Sequence, residues 1–212
     1  MIYNQQEVLR FMGAQAQDPQ AAQLCDVVYL KLRNEVQPRS LIRRTFCQTT
    51  TNEVRVDGVV FHSRALAGYL QGCDEVLLFA ATLGPKVDSA IKRLTLLSLT
   101  EGNAAQAVAA SLIENYSNQV LAAYDTGDLH QLPRFSPGYA DWQLSEQREF
   151  FQLLNCQSIG LTLTDSCMMT PVKSITAIVG LSKSAGHPAT SCEICGLENC
   201  VYRRGGRQKN HE

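Results

Sequence analysis

The chain has no excess of charge of either sign. Nineteen Lys and Arg face twenty Asp and Glu among 212 residues, for a net charge of −1. A protein that binds nucleic acid through counterion release carries a basic surplus, so that class is disfavoured. A long hydrophobic run is also missing. The most apolar stretch, Val76 to Ala81 with its flanks, is too short to cross a bilayer. The opening MIYNQQEVLR is polar and carries no secretory signal. The expectation is a soluble cytoplasmic chain with neither membrane nor nucleic acid as partner. The common enzymatic signatures are absent too: no GxGxxG after a strand, no P-loop, no HExxH and no GxSxG. The four histidines, His62, His130, His187 and His211, form no motif.

What the chain does have is enough apolar residue, 45% against 18% charged, to exclude wholesale disorder. Its eight cysteines are unevenly placed. In a reducing compartment they are free, metal-bound or redox-active rather than paired. Cys25, Cys47, Cys73, Cys156 and Cys167 lie among apolar neighbours, where free Cys behaves as a small hydrophobe. Cys192, Cys195 and Cys200 are clustered near the end.

Local patterns predict a mixture of helices and strands. Residues 5–13 read as a short helix stopped by Gly13. Asp18-Pro19 opens a second, with Leu24, Val27, Val28 and Leu32 on one side and Pro38 as its end. Strands are expected over Leu41–Phe46, Glu53–Val56 and Val59–Phe61, the last two joined by the hairpin signal Asp57-Gly58. Ser63 caps a helix through Tyr69 that closes at Gly72. Glu75–Thr82 reads as a central strand buried on both faces. Gly84-Pro85 starts a helix to about Leu99, and Asn103–Tyr124 is a long Ala-rich one. Residues 126–142 hold two prolines, two glycines and the lone tryptophan, and read as an ordered loop with a role. Ser145–Leu154 is helical, and Gly160–Thr164 and Ser174–Leu181 are strands. From Ser182 onward periodicity disappears. No regular βαβ alternation is present, so the fold class expected is α+β: a mixed or antiparallel twisted sheet with flanking helices. The division expected is a domain over residues 1–182 and a cysteine-rich, basic tail over 183–212.

Two segments carry chemistry. In Pro133-Arg-Phe-Ser-Pro-Gly-Tyr-Ala-Asp-Trp142, Arg134 offers a two-pronged partner for a carboxylate. Gly138 offers close backbone approach and Tyr139 an aromatic face, a set that suits a small zwitterion. From residue types alone, an exposed Arg in an Ω-loop packed by its own aromatics is the favoured reading. The second segment is Gly160-Leu-Thr-Leu-Thr-Asp-Ser-Cys-Met-Met-Thr-Pro171, followed by Lys173-Ser-Ile-Thr-Ala-Ile-Val-Gly180.

Together these segments resemble the reactivation domain of cobalamin-dependent methionine synthase, in a free-standing short form with a cysteine-rich tail. The family's R-x-x-x-G-Y loop, L-T-E-S strand end, Pro turn and small-residue strand correspond to Arg134…Gly138-Tyr139, Leu163-Thr-Asp165-Ser166, Pro171 and Ser174-Ile-Thr-Ala177. Ala80-Ala-Thr-Leu-Gly84 and Glu7-Val-Leu-Arg-Phe-Met-Gly13 extend the resemblance over most of residues 1–182. The resemblance implies that the chain binds S-adenosylmethionine and supports reductive methylation of cob(II)alamin in a separately encoded synthase. Flavodoxin or ferredoxin would donate the electron. The chain would then be the reactivation component of a methyltransferase rather than a complete enzyme, supplying binding and orientation.

By the same resemblance Arg134 would hold the carboxylate of S-adenosylmethionine, and Gly138 and Tyr139 would line its pocket. Glu114, in Leu112-Ile-Glu114-Asn115, would contact the cationic ligand; a solvated helix glutamate stands as an equal reading of that residue. Asp165 replaces the family's usual Glu and reads as structural. The family's aspartate near the domain start and its Tyr-Ser pair after the last strand have no counterpart here.

The tail departs from the family. Cys192-x2-Cys195-x4-Cys200 has the short spacing that lets thiolates converge on zinc or an iron–sulfur cluster. A fourth ligand would come from Cys156, Cys167 or His187. A structural zinc knuckle and an unmetallated reactive tail remain open beside an iron–sulfur centre. Arg203, Arg204, Arg207 and Lys209 fit either an acidic redox partner or a solvated tail. The alternative function is thus a metal-containing redox or adaptor protein that activates another corrinoid protein.

Overall fold

The computed structural model describes residues 2–14 and 18–184. Cys192, Cys195, Cys200, His187 and the basic residues of the tail lie outside the described residues.

The first helix, α1 (Gln5–Met12), is capped by the Asn4 side chain and stopped by Gly13 in the left-handed region at φ 70°. In α2 (Pro19–Leu32), the Asp18 carboxylate accepts from Gln20 and Ala21 N–H. It ends at Leu32, well before Pro38, so the proline lies in the extended approach to the next strand and stops nothing. Cys25, Val28 and Leu32 are buried while Val27 is exposed, which rotates the apolar face by one position from the expected one.

The hairpin at Asp57-Gly58 is confirmed. Strands β2 (Glu53–Val56) and β3 (Val59–His62) flank two residues at φ 46° and 84°, the left-handed pair that a two-residue hairpin turn needs. They add to β1 (Arg39–Thr49), which is longer than expected at both ends. Helix α3 (Arg64–Tyr69) follows Ser63, whose Oγ accepts from Leu66 N–H at 2.9 Å. The central strand is β4 (Glu75–Thr82).

Helices α4 (Pro85–Leu97) and α5 (Leu99–Ala122) meet at Ser98, which ends one and caps the other. The second therefore begins four residues before the expected Asn103. The loop that follows contains a short strand, β5 (His130–Gln131), and runs into α6 (Gln147–Leu153). The expected strand over 160–164 shrinks to β6 (Thr162–Leu163), which pairs with β7 (Met169–Thr170), a strand the pattern did not show. Strand β8 (Ser174–Ser182) completes the set.

The main sheet runs β3-β2-β1-β4-β8-β5, and every pairing among the described strands is antiparallel. The α+β expectation holds, without a parallel pair. No helix among the described residues is long and apolar enough to cross a membrane.

Both faces of the sheet are covered, and β4 shows why its sequence is apolar throughout. Leu77, Phe79 and Ala81 point to one core with Ala177 and Val179 of β8, beneath α1, α2, α4 and α5. Val76, Leu78 and Ala80 point to a second with Ile178, closed by α3, α6 and the loop carrying Phe135 and Trp142. Alternation by two thus serves two cores instead of core and water. The five scattered cysteines are buried and free. Burial pushes the Cys47 and Cys156 thiols up to about 12, as expected of packing groups.

The α4–α5 corner is closed by a glycine. A Cβ on Gly102 would lie 2.7 Å from the Cα of Thr95, so only a missing side chain lets the two helices approach. Helix propensity alone makes Gly102→Ala stabilising by about 1 kcal/mol. Overpacking against backbone costs about 1–3 kcal/mol. The variant is expected to be destabilised overall, read as a lower urea midpoint with an unchanged slope.

Candidate functional site

The loop after α5 is fixed to the edge of the sheet by backbone pairing. Leu132 N–H donates to Gly180 O at 2.9 Å. Phe135 and Ile178 exchange both hydrogen bonds, at 2.9 and 2.8 Å. In this extended stretch consecutive side chains point to opposite faces. Phe135 turns into the second core, against Tyr69, Tyr139 and Trp142. Arg134 turns the other way, toward α5, where its Nη2 donates to Glu114 Oε2.

Two of the residues expected from the sequence are thus brought together. The Arg134 side chain is 14% exposed and that of Glu114 is 29% exposed, so neither the exposed Ω-loop arginine nor the freely solvated helix glutamate describes them. The pairing leaves half of the guanidinium unused. Nη1 of Arg134 is buried with no hydrogen-bond partner. Such a donor is costly to leave unmatched, and a carboxylate is the group that satisfies a guanidinium best.

Gly138 and Tyr139 lie further along the same loop. Gly138 has φ 90° and is exposed; a Cβ there would meet nothing closer than Leu144 Cδ1 at 3.7 Å. The backbone conformation, and not crowding, calls for glycine. The backbone beside it stays accessible. The Tyr139 ring packs edge-on against Phe135 at 5.8 Å. It therefore follows Phe135 on the face opposite to Arg134, and the four expected residues divide into two pairs around one loop.

Asp165 lies in the turn between β6 and β7. Arg148 donates through Nη2 to its backbone carbonyl and through Nε to Cys167 Sγ at 3.2 Å, which agrees with a structural role for this turn. Next to it, Pro171 follows a cis peptide bond, and Ser174 Oγ donates to Pro171 O at 2.6 Å. Of the suggested fourth metal ligands, Cys156 is a buried thiol of the second core and Cys167 is buried beside Arg148. Among the described residues, no group of three or more His, Cys, Asp and Glu side chains is placed to hold a metal.

Two residues that shape the site were not singled out from the sequence. Tyr69, buried in the second core, donates from its hydroxyl to Pro133 O and accepts from Gly180 N–H at 3.3 Å, joining the root of the loop to β8. Burial raises its pKa, so the hydroxyl keeps its proton and remains a donor. Asp141, at the other end of the loop, accepts from Ser63 Oγ, Arg64 N–H at 2.9 Å and Ala65 N–H at 3.1 Å, and thereby caps α3 from a distance. The only legible signal for it was the Ser63 cap itself, whose first-turn N–H groups needed a further acceptor.

Comparison with known proteins follows this geometry. Residues 114–189 match the family model of the vitamin B12-dependent methionine synthase activation domain. The matched stretch starts at Glu114 and includes Arg134, Gly138 and Tyr139. No curated protein matches the chain. Among solved structures, the MetH reactivation domain bound to AdoHcy superposes with a TM-score of 0.61 at 16% identity, covering 85% of this chain and 71% of that one. At that identity the structural likeness concerns the fold. The family model bears out the resemblance read from the residues over 114–189, and the solved structure bears out the fold it implied.

Asp141 generates a pH-dependent prediction. Its burial alone would raise the carboxyl's pKa, but the hydrogen bonds from Ser63, Ala65 and Arg64 outweigh that and hold it below the ordinary value. A lowered folded pKa stabilises above the unfolded pKa of about 3.9, and the contribution is lost as pH falls through the folded value. Asp141→Ala should cost about 1 kcal/mol at pH 7, as loss of a helix cap does. The gap between wild-type and variant urea midpoints should then narrow as pH drops below about 4. A gap that stays constant to the lowest pH would contradict the assignment.

Proposed function

We propose that this chain binds S-adenosylmethionine at the edge of the sheet and supports reductive methylation of cob(II)alamin in a separately encoded cobalamin-dependent methionine synthase. The observation that carries the reading is the buried, unpartnered Nη1 of Arg134, beside Glu114, in the stretch that matches the activation-domain family. That atom fits a ligand with a free carboxylate. S-adenosylmethionine, when bound, supplies a methyl group activated on a sulfonium.

The chain's own residues would bind and orient. Arg134 keeps one nitrogen on Glu114 and offers the other to the ligand carboxylate, so its guanidinium is aimed before the ligand arrives and loses little rotamer freedom on binding. Glu114 holds Arg134 in that orientation and places a negative charge near the ligand's ammonium and sulfonium groups. Gly138 leaves its backbone open on the rim, and Tyr139, braced by Phe135 on the loop face away from Arg134, would belong to the rim that meets the corrin-bearing partner and not to the carboxylate site. No protonation step is required of any of them. The methyl acceptor belongs to the partner, and a flavodoxin- or ferredoxin-type carrier would bring the electron. A separately encoded partner in the cytoplasm would be met by diffusion, without the gain in effective concentration that a linker gives. In this reading the work is done within residues 1–182, and 183–212 form a separate tail.

The test is equilibrium dialysis with labelled S-adenosylmethionine, on the chain alone and mixed with the synthase. Saturable binding is expected. Arg134→Ala should weaken it by roughly a hundredfold, the loss typical of removing one side of a buried charged pair. Glu114→Gln should weaken it less, since the amide still accepts from Arg134. Absence of saturable binding both alone and in the mixture would defeat the proposal.

A further inference from the structure

We infer that the cleft between α4 and the Pro171–Lys173 turn is a second ligand site, for a carboxylate carried on a short aliphatic chain. It is independent of the site at Arg134. Gln106, which lines it, precedes Glu114 by eight residues on α5, or ~12 Å along the helix axis.

The cleft encloses about 310 Å³, at the lower end of ligand-pocket sizes. Its charged lining is Asp88, Lys92 and Lys173. The Asp88 carboxylate is engaged, since its Oδ2 accepts from Val172 N–H at 2.7 Å. Lys173 is half-buried and uses one of its three donors on Gln106 O, at 3.2 Å. Its desolvation disfavours the ammonium, an effect that Asp88 only partly offsets. Lys92 has no hydrogen bond or ion pair among the described residues. Two ammonium groups against one engaged carboxylate leave a single positive charge without a counterion. A monoanion balances it, whereas a dianion such as phosphate would be repelled by Asp88.

The remaining walls decide what carries the anion. Ile91, Leu96 and Val172 are apolar, and Leu96 and Val172 are 80% and 60% exposed. A ligand with a branched or straight aliphatic chain would cover them while its carboxylate meets Lys92 and Lys173. Exposed leucines grouped beside a cleft are otherwise an expense for a soluble protein. The same chemistry is presented by a free aliphatic acid and by the C-terminus of a polypeptide ending in leucine. The adjoining Leu97 and Leu99, 82% and 80% exposed, would lie under the preceding residues of the latter.

Titration of the isotope-labelled chain followed by nuclear magnetic resonance separates these sources. The probes are 4-methylpentanoate, acetyl-Gly-Gly-Leu with a free C-terminus, and the neutral amide of each. Saturable shifts confined to Lys92, Leu96, Gln106 and Lys173 are expected from one or both acids, with Kd on the order of 1 mM for ligands this small. Binding of the free acid alone identifies a metabolite-sized ligand; binding of the peptide alone identifies a chain terminus; either supports the site. Lys92→Ala, an exposed helix position that leaves folding intact, should weaken binding at least about threefold. Lys173→Met should weaken it as well, because either substitution leaves the anion a single ammonium group. Equal binding of the amides, wild-type affinity in both Lys92→Ala and Lys173→Met, or no saturable shift from either acid would overturn the proposal.

Discussion

The exchange of two hydrogen bonds between Phe135 and Ile178 is the constraint on which the candidate site depends. It converts a loop rich in proline and glycine into a short extension of the sheet. Once that register is set, the pleat decides the rest: Phe135 must point into the second core, and Arg134 must point toward α5. A slip by one residue would bury a guanidinium among Trp142, Phe61 and Tyr69 and expose a phenyl ring to Glu114. The penalty for such a slip is large, so the register is strongly specified by residues that never touch a ligand.

Tyr69 and Asp141 hold the two ends of that loop. One is a buried phenol bridging Pro133 and Gly180; the other is a carboxylate that closes the first turn of α3. Both draw on α3 and its cap, a short helix whose own length would not make it stable. The loop and the helix stabilise one another: the helix gains its cap from the loop, and the loop gains its anchors from the helix. Gly138 and Tyr139 are thereby placed on a rigid support, which suits a binding surface better than a free loop would.

Much of this was legible in the residues. The Asp57-Gly58 hairpin, the Ser63 cap, the doubly buried Glu75–Thr82 and the small-residue strand from Ser174 all follow from short-range rules, and the structure has each of them. The misplacements lie at helix ends. The start of α5 was expected at Asn103, yet Ser98 serves both helices and Gly102 is there for contact with Thr95. The end of α2 was assigned to Pro38, although the helix stops at Leu32, with Arg33 N–H making its last bond to Tyr29 O. The bond between Arg134 and Glu114 joins residues twenty positions apart, and spacing gives no sign of it. The family resemblance, which matched each of them separately to a ligand contact, did suggest that they share a site. The strand β7 and the placement of Tyr69 are tertiary facts with no local signature.

The lone tryptophan carries a practical consequence. Trp142 is almost wholly buried, its indole edge-on to Phe61 at 5.2 Å and its N–H donating to Glu146 at 3.1 Å. Its carbonyl receives the Gly138 N–H at 2.8 Å. The protein therefore has one indole, buried and hydrogen-bonded, tied to the rim by two backbone links, since its own backbone N–H donates to Tyr139 O at 2.9 Å. Any rearrangement of that rim must alter its emission, so the molecule contains its own optical gauge.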